Sequence, residues 1–190
     1  MNSSEINDDR KEIFKPIIIY IKEQIVQGKP VNLNFICTHN SRRSQISQLW
    51  AYAAAWYYNV NCNSYSGGVE VTAFNERAVA AMTRCGFEIS TDIAGDNPVY
   101  IVHCGPNSPS TKAFSKLFDD RSNEATPFAA LMTCGHADDN CPHISEAEVR
   151  LPLRYNDPKA YDDTDLETIK YDERCKEIGT ELFYIFSQCI

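Results

Sequence analysis

The sequence predicts an α/β fold. One three-layer domain is expected, with a central, mainly parallel four-stranded sheet flanked by helices, an N-terminal helix and an inserted middle segment. Three observations predict it. Val31-Asn32-Leu33-Asn34-Phe35-Ile36 alternates, ends on an apolar pair, and leads through a short loop into a stretch of helical period. Asn63 to Gly68 and Asn75 to Cys85 repeat the strand-then-helix order, which implies parallel pairing through right-handed crossovers. Phe128-Ala129-Ala130-Leu131-Met132-Thr133 reads as a further buried strand, ending at Cys134.

The elements follow in order. Ile13, Phe14, Ile17, Ile18, Ile21 and Ile25 give residues 9 to 28 a helical spacing, closed by Gly28-Lys29-Pro30. This helix is expected to pack against the main sheet. Residues 1–30 are then expected to form an N-terminal helical extension and 31–190 the main domain. The helix from about Ser44 to Tyr58 presents Ile46, Leu49, Trp50 and Ala53 inward. The next turns Ala78, Val79 and Met82 inward and is capped by Gly86. Ser90 to Thr126 is the least regular stretch, with short strands expected at Val99–Val102 and Ala113–Phe118. Val149 to Leu153 is the expected last strand. Leu166 to Ser187 closes the fold with a stripe of Ile169, Cys175, Ile178, Leu182, Phe183 and Phe186.

Composition narrows the class. At 190 residues the chain can bury a proper core, and 43% hydrophobic with 23% charged residues is ordinary for a globular protein. A formal charge of -8 argues against nucleic acid or an anionic membrane as a general partner, so any anion site must be local. The run Ile17-Ile18-Ile19-Tyr20-Ile21 is far too short to span a bilayer. No signal-peptide pattern opens the chain. The eight cysteines are therefore expected to be reduced and the protein cytoplasmic, with some of the thiols catalytic.

The chemistry gathers at Cys37-Thr38-His39-Asn40-Ser41-Arg42-Arg43-Ser44. A cysteine at the carboxyl end of a buried strand, followed by a loop that enters a helix, faces inward-turned N–H groups and the positive end of the helix. Both favour thiolate over thiol, and Arg43 adds a full charge. The planar fork of arginine also suits two oxygens of a tetrahedral oxyanion. Asn40 and Ser44 can hold the loop and hydrogen-bond the sulfur. Without that context, a buried structural Cys beside a solvent-facing Arg is the plainer account.

This loop resembles the P-loop of the low-molecular-weight protein tyrosine phosphatase superfamily, which includes the thioredoxin-coupled arsenate reductases. Ser64-Tyr65-Ser66-Gly67-Gly68, followed by a helix ending Cys85-Gly86-Phe87, is similar to that superfamily's second strand–helix unit. The resemblance covers most of residues 31 to 188. It implies a nucleophile at Cys37, and oxyanion binding by Thr38, His39, Asn40, Ser41, Arg42, Arg43 and Ser44. It also implies a general acid at Asp157, in Asn156-Asp157-Pro158 after the last strand. His39 stands where a small residue is usual, and either lines the pocket or points away. Asp162, Asp163 and Asp165 read as helix-entry charges. Gln48 replaces a glutamate that binds potassium in some relatives, so that site is not carried over.

Cys134 and Cys141, seven apart with His136 and His143 nearby, admit three readings. A zinc site lacks the usual knuckle spacing. Two small buried hydrophobes suit Cys134 better than Cys141, which sits among polar residues before Pro142. The pattern C-x-x-A-D-x-x-C-P closely resembles the redox segment of the arsenate reductases, where two cysteines relay a disulfide away from the nucleophile. That implies reduction of arsenate to arsenite with thioredoxin as electron donor, no bound cofactor or metal, and a small oxyanion (arsenate, phosphate or sulfate) in the loop. A phosphatase acting on phosphotyrosine or small phosphate esters needs only the loop and Asp157. Asp157-Pro158-Lys159-Ala160 lacks an aromatic pair to wall phosphotyrosine, though Tyr161 follows and Phe74 is a candidate for part of a wall. An idle anion-binding or redox-sensing protein is the third reading. Cys62, Cys85, Cys175 and Cys189 read as incidental thiols, and Cys104 as a thiol of the inserted segment.

Overall fold

The computed structural model describes residues 6–140 and 144–190. At its centre is strand β1 (Val31–Cys37), buried along its whole length. Helix α1 (Asp8–Val26) precedes it, and α2 (Arg43–Tyr58), β2 (Cys62–Gly68) and α3 (Glu76–Arg84) follow. The middle of the chain supplies β3 (Glu88–Ile93), β4 (Val99–His103) and β5 (Thr111–Ala113). Then come β6 (Phe128–Met132), α4 (Gly135–Asn140), β7 (Ala147–Pro152) and α5 (Glu167–Ser187). The main sheet has the order β2–β1–β6–β7, and each pairing is parallel, as the strand-then-helix order implies.

The alternation along β1 assigns the two faces of this sheet. Val31, Leu33 and Phe35 join the main core with Ala129, Leu131 and side chains of α1, α2, α3 and α5. On the other face Ile36 meets Ala130 and Met132 in a smaller apolar cluster, closed by Ala137 of α4 and by Phe118. Asn32 and Asn34 belong to this second face. Their amides donate to the Pro127 and Phe118 carbonyls at 2.9 and 2.8 Å. The polar half of the alternation thus anchors the inserted segment, a role for which the sequence alone offered no partner.

Helix α1 shares the main core: Phe14, Ile17 and Ile21 are fully buried in it. Arg10 adds two 2.8 Å bonds from its guanidinium to the Glu181 carboxylate of α5. Two expected core positions lie outside, since Ile25 is 38% and Ile169 52% exposed. Among the described residues no helix is long and apolar enough to cross a membrane.

The inserted segment departs most from expectation. β3, β4 and β5 form a separate antiparallel sheet, and β3 had no signature because its residues are mostly exposed. The strand expected over Ala113–Phe118 ends at Ala113. Beyond it the chain runs beside β2, where Gly68 N–H donates to the Lys116 carbonyl and Phe118 N–H to the Gly68 carbonyl.

The packing of α1 has a measurable consequence. Phe14→Ala should lower the stability of the entire protein by about 3–5 kcal/mol, in one cooperative denaturant transition. A separate low-stability transition confined to the N-terminal helix would show instead that α1 folds independently.

Candidate active site

The loop from Cys37 to Ser44 is built from the outside inward. The carbonyls of Cys37 and Thr38 accept from Val69 and Glu70 N–H, and that of Ser41 from Asn75 N–H. The His39 carbonyl accepts from the Thr72 and Ser115 hydroxyls, at 3.1 and 3.0 Å. With the carbonyls turned outward, the peptide planes present N–H groups to the loop interior, the arrangement that cradles an anion. Asn40 makes the sharpest bend, at φ +46°. Its side-chain amide donates to Ser44 Oγ at 2.8 Å, and its Oδ1 accepts from Lys116 N–H and from the Gln45 amide. Ser44 Oγ lies 3.1 Å from Cys37 Sγ, which is 3% exposed.

Close approach of β2 completes the wall. A Cβ on Gly68 would fall 2.8 Å from Asn40 N and 2.9 Å from Thr38 O, so only glycine fits there without displacing the loop.

The two neighbouring arginines diverge. Arg43, the first residue of α2, donates to Asp157 Oδ2 at 2.6 Å and to the Tyr155 carbonyl at 3.2 Å. Its Nε is buried with no hydrogen-bond partner. Asp157 is the N-cap of a short 3₁₀ turn, Pro158–Tyr161, with its Oδ1 accepting from Lys159 N–H. Arg43 and Asp157, singled out separately in the sequence, thus meet in the structure. Arg42, expected among the oxyanion-binding residues, sends its guanidinium to Tyr171 Oη (2.7 Å) and Asp162 Oδ2 (3.0 Å). Asp162 is consequently not a simple helix-entry charge: it accepts from both Arg42 and the Tyr171 hydroxyl. Burial, reinforced by the bond to Asp162 and opposed by Arg42, pushes the Tyr171 hydroxyl up to about 12, so it stays a protonated donor at neutral pH.

Parallel pairing brings the segment that begins at Cys134 to the same sheet edge. Ile36 of β1 is in register with Met132 of β6, and Thr133 N–H donates to the Ile36 carbonyl at 2.8 Å. Cys37 and Cys134 therefore leave adjacent strand ends and join the same small apolar cluster. Thr38 Oγ1 lies 3.5 Å from Cys134 Sγ and 3.3 Å from His136 Nδ1. Ala137 N–H donates to Cys134 Sγ at 3.3 Å. Cys141 and His143 lie outside the described residues. Among the described residues no group of three or more His, Cys, Asp or Glu side chains is gathered for a metal ion.

Sequence reasoning missed the residues that fix this segment. Asp138 takes ion pairs from Arg150 and Arg154, at 3.5 and 2.6 Å, and Arg154 also reaches Asp139 at 3.1 Å. Nothing local marks these arginines, whose partners lie about a dozen residues back in a different element. The His39 ring faces Glu70 at 3.3 Å and is half exposed. Phe74 is buried against Tyr100, and the two line a surface cavity with Ser41, Asn75 and Pro98. Gln48 is a neutral hydrogen-bond node, accepting from the Ser66 hydroxyl and donating to the Lys112 carbonyl.

A strand-end cysteine, a loop with its carbonyls turned outward and an Asp-Pro turn opposite the loop arginine thus share one sheet edge, in a fold of the low-molecular-weight protein tyrosine phosphatase kind. An arsenate reductase of Bacillus subtilis is 30% identical over 150 residues, covering 78% of this chain and 89% of the relative. The chain belongs to the arsenate reductase family. Two solved structures share its fold. One, an arsenate reductase in the phosphate-binding state, superposes with TM-score 0.54 at 15% identity, over 84% of this chain and 99% of the other. The second, a low-molecular-weight protein tyrosine phosphatase from T. tengcongensis, gives 0.51 at 14% identity over 84% and 99%. No protein-family model matches the chain.

Two outcomes follow from this geometry. Gly68→Ala should destabilise the protein by about 1–3 kcal/mol through overpacking and weaken phosphate binding measured by calorimetry; unchanged affinity would show that the loop tolerates the extra carbon. Lys116 is 4% exposed, and burial, opposed by Asp120, lowers its ammonium to about 8. The unfolded lysine titrates near 10.4. Between those values the unfolded chain binds more protons, so stability should rise with pH across that window. Urea melts should show Lys116→Met more stable than the parent at pH 7 by up to about 3 kcal/mol, the gap closing toward pH 10. A pH-independent gap contradicts this.

Proposed function

We propose that this protein reduces arsenate to arsenite through Cys37, Cys134 and Cys141, with thioredoxin as the final electron donor. The loop N–H groups and Arg43 bind the arsenate, whose oxygens also offer the unpartnered Arg43 Nε an acceptor. The Cys37 thiolate, held by the Ser44 hydroxyl, attacks arsenic. Asp157 protonates the departing hydroxide, which leaves as water. Cys134, as thiolate, then attacks Cys37 Sγ. The S–As bonding pair passes to arsenic, which leaves as arsenite, and the two sulfurs form a disulfide. Cys141 attacks Cys134 in turn, freeing Cys37, and thioredoxin reduces the resulting Cys134–Cys141 bond by the same exchange.

One observation carries this reading over the phosphatase alternative. Cys134 packs in the same apolar cluster as Cys37, with the Thr38 hydroxyl 3.5 Å from its sulfur. Hydrolysis of a phosphocysteine has no use for that second thiol. Its helix is held by the charges of Arg150 and Arg154 rather than by apolar packing alone, an attachment suited to local opening while the disulfide migrates.

Arsenate turnover coupled to thioredoxin, thioredoxin reductase and NADPH tests the assignment. Cys134→Ser and Cys141→Ser should each lose at least about 100-fold in kcat, by analogy with the loss of an essential nucleophile. Cys134→Ser should retain any aryl phosphate hydrolysis. Full arsenate turnover in both variants would refute the relay; efficient ester cleavage without arsenate reduction would establish the phosphatase.

A further inference from the structure

Far along the chain from the loop, three sulfur atoms converge between α3 and α5. Cys175 Sγ lies 3.2 Å from Cys85 Sγ and 3.3 Å from Met82 Sδ, and the Trp50 indole N–H donates to it at 3.4 Å. Cys175 is fully buried, whereas Cys85, the C-cap of α3, is partly exposed. A disulfide has its sulfurs about 2.05 Å apart, so closing this pair requires an approach of roughly 1 Å. The asymmetry is that of a working dithiol, with one thiol open to a reagent and its partner shielded behind it.

We propose that Cys85 and Cys175 are a second redox-active pair, closed into a disulfide by exchange with a small-molecule disulfide that enters at Cys85. The Cys85 thiolate attacks one sulfur of the reagent, forming a mixed disulfide and releasing one thiolate. Cys175 passes its proton to that thiolate and attacks Cys85 Sγ. The Cys85–Cys175 bond forms as the second reagent thiolate leaves and takes up the proton that Cys85 gave up. Two protein thiols are oxidised, and one reagent disulfide is reduced to two thiols.

The electrostatics give the two sulfurs different parts. The hydrogen bond from Cys175 lowers the Cys85 thiol below its usual value, against burial and Asp172, with help from Arg84. The same bond, with burial, raises Cys175. Cys85 is therefore the attacking thiol and Cys175 the resolving one. The bond would tie α3 to α5 across a loop of about ninety residues, where closure removes much of the unfolded chain's freedom. It would also fix α5 one turn from Tyr171, which holds Arg42 and Asp162 beside the loop. This pair makes no use of arsenate, and the inference is independent of the proposed reaction.

The test uses the full chain with Cys37, Cys134 and Cys141 all replaced by serine, which leaves the relay unable to respond. After incubation with oxidised glutathione, peptide mapping should recover a Cys85–Cys175 crosslink, 2 Da lighter than the dithiol pair. Tm should rise by several degrees, and Trp50 emission should change in step. Dithiothreitol should reverse all three. Adding Cys85→Ser, or Cys85→Ala if the serine folds poorly, should abolish the crosslink. A stable glutathione adduct on Cys85 without the crosslink overturns the proposal. So does alkylation of both thiols after oxidation.

Discussion

The bend at Asn40 is the constraint on which the site depends. A side chain at positive φ costs about 1–2 kcal/mol in the left-handed region, and here the bend has to be held without glycine. It is held because the Asn40 side chain lies among donors and acceptors that match it: Ser44, Gln45 and the Lys116 N–H. Each bond contributes about 1 kcal/mol in a buried setting, enough together to offset the strain. The same bend turns the loop carbonyls toward β2, Thr72 and Ser115, and so leaves the N–H groups for an anion. The inserted segment is thus part of the loop's outer wall, since Ser115 and Lys116 belong to it.

The parallel sheet does the remaining placement. β1, β6 and β7 end at one edge, in register at Ile36, Met132 and Pro152. Cys37 closes β1, and the chain after β6 and β7 delivers Cys134 and Asp157 to the same edge. Residues a hundred positions apart meet because strand ends in such a sheet share an edge where ligands bind. Arg43 links two of these parts, reaching Asp157 from the first turn of α2. In the proposed reaction a bound oxyanion competes with Asp157 for that guanidinium, freeing the carboxyl group for proton transfer.

Much of this was legible in the sequence because strand order, apolar runs and the cysteine-to-arginine spacing are local signals. Cys37 and Arg43 stood out by strand end and spacing, and Asp157 entered through the resemblance to a known family. What escaped depended on helix phase and distant partners. Arg42 and Arg43 were both expected at the anion, yet one faces Tyr171 and the other Asp157. Asp162 read as a helix-entry charge because its partners lie on two other elements. The antiparallel β3–β4–β5 sheet carries too little buried apolar alternation to announce itself. Cys85 and Cys175 looked incidental apart, and only the packing of α3 on α5 makes them a pair.

The central claim is that arsenic reduction is driven by a bond between the sulfurs at two adjacent strand ends. It is tested most directly by a single turnover with Cys141→Ser, without thioredoxin, followed by acid quench and peptide mapping. The account predicts one arsenite released per protein and a Cys37–Cys134 disulfide in equal amount. Arsenite released with Cys134 still alkylatable, or a disulfide joining Cys37 to any other cysteine, would contradict it.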